Sequence, residues 1–369
     1  MNRSNEKPGK ENGRRYEKRS SGWKLLVLTL AALTILSACT SNKITSTEAE
    51  QNEKRAAEQG SGQKDNRDTS SNGQETGSAD QEKVSPERLI DTLTNGSKEA
   101  VYNQFTPEMK QAVSLENLKS TADSFLKGVK SWKQAYRAEM NGLTEYAWTD
   151  DTGAKGIRVY YTKDQQIAGL SVVPLEAHPD TDSKLTQTEF HFPMKGDMFV
   201  FWGGQNVMAN YHYEHAMQRY ALDIVRTKDG ASYQGDPKVN ANYYAFGEPL
   251  YAAADGTVVD IKNDIEDNVP GVMNPDEAAG NYVVIDHGNK EYSITAHIKK
   301  GSVAVKKGDK VKQGDRIGDL GNSGNSSEAH LHFQVSNGPD LFTSQSLHIR
   351  WADQSQELIR GNTVQGLPE

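Results

Sequence analysis

The chain has 369 residues, enough for two folded domains, but only 35% of them are apolar, which is low for one compact enzyme and implies a disordered portion. The net charge is −8, and no basic patch of nucleic-acid type follows the first 24 residues, so nucleic-acid binding is excluded as an expectation. One cysteine, Cys39, rules out an intrachain disulfide.

Residues 1–24 are polar and rich in Lys and Arg, and a mostly apolar run from Leu25 to Ala38 follows. That run is short for crossing a bilayer and suits the apolar core of an export signal. It ends in Leu36-Ser37-Ala38-Cys39, which resembles the bacterial lipobox. The resemblance implies that residues 1–39 are a lipoprotein signal peptide and that Cys39 is lipidated. Two acyl chains on that cysteine would hold the protein stably at the extracellular face of the cell membrane. Residues 40–83 are mostly Ser, Thr, Gly, Gln, Asn and charged residues, with Ile44 the only large apolar side chain. Such a segment buries too little to offset its ordering entropy and reads as a disordered tether.

Residues 84–175 read as a small α+β domain. Ser85-Pro86 resembles a helix start, and Leu89, Ile90 and Leu93 continue with helical spacing until Asn95-Gly96. Further helices are expected from Lys98 to Phe105, after Thr106-Pro107, and from Ser114. Strands are expected over 136–140, 144–148, 157–161 and 167–173, with a hairpin turn at Asp150–Gly153. The unit loosely resembles a cone-shaped α+β domain found ahead of some secreted bacterial hydrolases, on the strength of Tyr102–Phe105, Met109-Lys110 and Ile167–Leu170. No cluster of His or paired carboxylates lies in it, and a spacing or binding role is expected. Residues 176–188 read as a linker.

From 189 to 353 short strands alternate with Gly-rich turns at Asp255-Gly256, His287-Gly288, Lys307–Asp309 and Gln313–Asp315. Strands spaced this way predict an antiparallel β-sandwich or barrel, so the chain as a whole is expected to be mainly β. Residues 354–369 read as a C-terminal tail. The insertions 227–247 and 263–279 are long for a compact domain and are expected to wall a groove.

The feature with most chemistry is His330-Leu331-His332 in a strand-like run, where alternate side chains leave one face together. Around it come, in order, Ala253–Val259, Gly280–Gly288, Thr295–Ile298, Val305–Gly318 and Gly321–Gly324. This ordered set resembles the lysostaphin-type zinc metallopeptidases, which cut peptide bonds in bacterial peptidoglycan. The resemblance implies Zn²⁺ as cofactor, peptidoglycan peptides as the partner, Asp223 and His332 as metal ligands, and His297 and His330 as catalytic imidazoles. The family's first ligand normally stands four positions before the aspartate, where this chain has Arg219, a group that stays protonated and cannot ligate. His212 is preferred as its replacement, with His215 as the alternative.

Two neutral imidazoles and a carboxylate leave zinc a position for water, and an imidazole near its ordinary pKa can take that water's proton. His330 is the preferred base and His297 the preferred oxyanion stabiliser, with the reverse assignment open. A competing reading is an inactive peptidase fold that binds and regulates another cell-wall hydrolase, for which a lost ligand would be the signature. The Gly-Asp turns at 306–315 also occur in biotinyl and lipoyl carriers, but no lysine sits in the required hairpin context.

Overall fold

The computed structural model describes residues 83–352 and 358–368. The expected signal peptide, Cys39 and all of the expected tether but Lys83 lie outside them.

Four helices open the described chain: α1 (Pro86–Asn95), α2 (Lys98–Asn103), α3 (Pro107–Ala112) and α4 (Leu115–Leu126). Ser97, Thr106 and Ser114 cap the last three by accepting from the backbone N–H of Ala100, Met109 and Asn117. An antiparallel meander follows, β1 (Trp132–Met140), β2 (Leu143–Asp150), β3 (Lys155–Thr162) and β4 (Ile167–Pro174), paired in chain order. Its two faces have separate tasks, because side chains alternate along each strand. Trp148, Ile157, Val159, Tyr161 and Ile167 face the helices and join Leu89, Val101, Phe105 and Leu118 in one core. Tyr136, Ala138 and Ala147 point the other way and pack with Phe199, Phe201, Trp202 and Met208 of the second unit.

The region expected as a linker contains a short helix, α5 (Pro179–Asp182), and most of the residues leading into strand β5 (Leu185–Phe190). The strands of the second unit are then β6 (Asp197–Trp202), β7 (Leu222–Val225), β8 (Pro249–Tyr251), β9 (Gly256–Lys262), β10 (Asn281–Asp286), β11 (Tyr292–Ile298), β12 (Lys310–Val311), β13 (Arg316–Asp319), β14 (Leu331–Ser336), β15 (Ser346–Trp351) and β16 (Thr363–Gln365). The large sheet runs β12-β9-β10-β11-β14-β7-β6-β16, with β15 beside β14 and β5 parallel to β15, while β8 and β13 form a separate pair. The mainly β, largely antiparallel architecture expected from the sequence is therefore present.

The expectation of a tail over 354–369 is corrected by β16, which extends the sheet beside β6 and buries Val364. A single valine among polar residues carries no periodic signal, so only the pairing with β6 reveals it. Likewise, β5 takes its place through a parallel pairing with β15, a long-range contact that a stretch rich in Thr and Asp does not announce.

β14 lies between β11 and β7, and every one of its residues is buried. A strand in that position is held by hydrogen bonds on both edges and side chains on both faces, so what it carries is fixed in place.

Candidate metal centre

Asp223 on β7 and His332 on β14 are directly opposed across the sheet, and the His332 Nδ1 lies 3.0 Å from Asp223 Oδ1. On the other edge of β14, Ala296 is the partner of His332, which brings the next residue, His297, to the same place. His330 stands just ahead of β14, with its Nε2 3.7 Å from Asp223 Oδ1. His212 comes from the loop between β6 and β7, on the short 3-10 turn Tyr211–Glu214, and its Nε2 lies 3.1 Å from the second aspartate oxygen, Oδ2. Asn210 shapes that turn: its side chain accepts from the His212 N–H and donates 2.9 Å to the carbonyl of Ala221, next to β7.

The structure thus gathers His212, Asp223, His332, His297 and His330, and leaves His215 outside. His215 is partly exposed, and its backbone donates to the His212 carbonyl and accepts from the Gln218 N–H. Arg219, at the family's usual ligand position, instead donates from Nε to the carbonyl of Tyr213 and lies over that ring.

Each imidazole is turned by an oxygen acceptor. His212 Nδ1 faces Gln218 Oε1 and His332 Nε2 faces Gln334 Oε1, each at 3.1 Å. His297 Nδ1 faces the Ser323 carbonyl and His330 Nδ1 the Glu328 carbonyl, each at 2.8 Å. A carbonyl only accepts, so the proton of a neutral ring sits on the nitrogen facing it, and the other nitrogen keeps a lone pair. Hence His212 Nε2, His332 Nδ1, His297 Nε2 and His330 Nε2 are bare in the neutral rings. Burial pushes the His212 imidazole down and the His297 imidazole well down from its ordinary value, which favours the neutral form in both. Burial alone would raise the Asp223 carboxyl, but the imidazoles of His212, His330 and His332 around it outweigh that and hold it well below the usual carboxylate range.

His297 has φ +59°, in the left-handed region where a side chain other than glycine is strained by about 1–3 kcal/mol. Its N–H bonds to Ala279 and its carbonyl accepts from Gly321, so the conformation is held from both sides. The supporting acceptors were not read from the sequence. Gln334 could have been, since it stands two residues after His332 on the same strand face; nothing local marks Gln218 or the Ser323 carbonyl.

The two insertions bind each other and the loop ahead of His330. Asn240 donates to the Asn268 carbonyl, Lys238 to that of Pro270, and Asn268 to the carbonyls of Gly324 and Ser326. Within that loop Glu328 is 4% exposed, and both its carboxyl oxygens are buried without a hydrogen-bond partner. Of the remaining histidines, His287 bonds Asp255 and Ser293, and His348 bonds the Asp182 carbonyl, both in structural roles.

The donor set has the chemistry of a divalent-metal site. The ligand atoms of His212, Asp223 and His332 lie within 4.8 Å of one another. With bonds of about 2.0–2.1 Å at tetrahedral angles, zinc donors stand about 3.3 Å apart. The 3.1 Å and 3.0 Å contacts reach different oxygens of Asp223, and two imidazole nitrogens with a carboxylate brought this close are the donor types zinc takes, so the residues fit the ion.

A β-sheet domain thus presents two buried imidazoles and a carboxylate beside two further imidazoles, a candidate metal site. The chain belongs to peptidase family M23: that family's description matches residues 241–343, a span that contains His297, His330 and His332 and stops short of His212 and Asp223. Over 89 residues, 24% of this chain, it is 40% identical to the peptidoglycan DD-endopeptidase ShyA of Vibrio cholerae and 30% identical to lipoprotein NlpD of Yersinia enterocolitica. The match covers 17% of the first protein and 77% of the second. Among solved structures, the catalytic domain of lysostaphin from Staphylococcus simulans is similar at 23% identity and TM-score 0.23, covering 34% of this chain and 74% of that one.

Proposed function

We propose that the protein is a membrane-anchored zinc metalloendopeptidase that hydrolyses peptide bonds in bacterial peptidoglycan. The observation that carries this is the meeting of a three-donor set with two more imidazoles, all with bare nitrogens on its side. His212, Asp223 and His332 would hold the ion. Bound zinc lowers the pKa of a water toward about 7 and polarises a carbonyl.

The protein's own groups do the rest. His330 Nε2 is bare and beside the donor set, so it can accept a proton from water; the imidazolium formed would be stabilised by Asp223, 3.7 Å away. That proton is then available to the leaving amine. His297 Nε2 is also an acceptor in the resting tautomer. Its expected part as an oxyanion donor therefore requires a proton to reach Nε2 first, and until then it orients water. The peptidoglycan substrate is supported by the 40% identity over 89 residues to the named endopeptidase, and the anchor by Leu36–Cys39 in the sequence. A regulatory, inactive peptidase fold would be favoured by an incomplete donor set, and here three donors converge.

Digestion of purified peptidoglycan with and without chelator, followed by mass analysis of fragments, tests the reading. New amine ends should appear only with metal present and be lost in His332→Ala. Fragments released equally with chelator, or none from a zinc-loaded protein, would overturn it.

A further inference from the structure

We infer that the N-terminal α+β unit is a positioning scaffold for the metal centre, setting His212 through the loop that carries it. The assignment rests on the zinc reading above. In this chain His212 stands 11 residues from Asp223, on a loop running from Gly203 to Ala221 with no strand of its own. Loops of that length are uncommon in compact domains and wander unless tied down. A ligand on such a loop needs anchors beyond the neighbouring strands.

The N-terminal unit supplies them. Met208, 1% exposed, sits in a socket on the outward face of β3, made by the absence of a side chain at Gly156. A Cβ at Gly156 would stand 2.3 Å from the Met208 sulfur and 3.3 Å from Leu175. The Met208 carbonyl lies 2.9 Å from the Tyr136 hydroxyl of β1 and 3.4 Å from Arg158 Nη1 of β3. A second anchor reaches the same loop from the β2 side. Glu145 binds Arg360, whose guanidinium lies 4.0 Å from the centre of the Trp202 ring. Trp202 is the cross-strand partner of Asp223 and packs edge-on against Tyr211, whose ring is 3.9 Å from that of His212. The first anchor therefore holds the loop at Met208, four residues before His212, and the second ends on the pair His212 and Asp223. A spacing or binding role alone gives no reason for a glycine socket facing a ligand loop; positioning does.

The test uses the full chain, Gly156→Val, and zinc alone as probe. Valine suits a strand, so β3 is kept while Met208 is driven out. Zinc affinity, read by competition with a chromophoric chelator, should fall roughly tenfold or more, the size of effect seen when supports of metal ligands are lost. Amide hydrogen exchange in the metal-free variant should accelerate over 203–221 and stay as in the wild type in β11 and β14. Adding Met208→Ala to Gly156→Val makes room for the valine and should restore part of both, which a merely weakened fold would not do. If Gly156→Val opens β11 and β14 as well, Tyr136→Phe decides, and a several-fold loss of zinc affinity with both strands protected upholds the scaffold. Wild-type zinc affinity in Gly156→Val, or in Tyr136→Phe where that variant decides, overturns it. A wild-type chain that takes up no zinc would instead sink the zinc reading, while exchange over 203–221 would still report on the scaffold.

Discussion

At the scale of single residues, each imidazole of the site has an oxygen acceptor behind it, and Gln334 is the one that holds His332. Its side chain is wholly buried, its Oε1 faces His332 Nε2, and its amide nitrogen donates to Met217 and Ser336. Gln334→Leu leaves the His332 N–H without an acceptor, and zinc affinity should fall about 10–100-fold by chelator competition. Glu328 makes a separate prediction. Burial pushes its carboxyl up from 4.5 to about 7. A carboxyl raised on folding favours the protonated form, so stability is full below the unfolded value and declines as pH rises from about 4.5 to 7. At pH 8 the charged group costs roughly 3 kcal/mol. Glu328→Gln keeps the shape and removes the charge, and should raise the urea midpoint at pH 8 with little change at pH 5. An equal effect at both values would show that the carboxyl does not titrate in this range.

At the scale of elements, β14 was legible as a strand that carries His332 with His330 just ahead of it, since alternation needs only local sequence. The backbone crowding that supports His297 was not, because it joins segments far apart. Gly324 has φ +81°, and a Cβ there would lie 2.3 Å from the Gly280 nitrogen and 2.5 Å from the Glu277 carbonyl oxygen. These are backbone atoms and have little freedom to retreat. Gly324 follows Ser323, whose carbonyl fixes the His297 tautomer. Gly324→Ala should therefore destabilise the fold by about 2 kcal/mol or more. It should also lower kcat while zinc content stays at the wild-type level, because His297 lies outside the donor set. Loss of zinc in step with kcat would place the damage at the ligands instead. The same logic explains why the family's usual spacing misleads at Arg219: spacing predicts a ligand on a tight connection, and here the connection is a long loop held from outside.

At the scale of the whole molecule, composition separated two folded units but could not show that they share a buried ion pair. Glu145 is 2% exposed and Arg360 6%, and Arg360 Nε and Nη2 each lie 2.8 Å from Glu145 Oε2. Arg360 also donates to the Phe201 carbonyl. On its other oxygen Glu145 faces the Tyr136 hydroxyl at 2.7 Å and Arg158 at 3.8 Å. The two partners are therefore unequal. Removing Arg360 leaves Glu145 with a second guanidinium nearby, whereas removing Glu145 strands a buried Arg360 that has no other carboxylate among its described contacts. Breaking a buried pair from one side costs about 3–5 kcal/mol when the remaining charge is uncompensated. Glu145→Leu should reach that range and Arg360→Met should fall below it, both read by urea unfolding. Because the pair joins the α+β sheet to the segment beside β6, Glu145→Leu should also split unfolding into two transitions, one for each unit. Equal costs for the two substitutions, or a single shared transition in Glu145→Leu, would mean that the apolar contacts of Tyr136, Ala147, Phe199 and Met208 hold the units together without the charges.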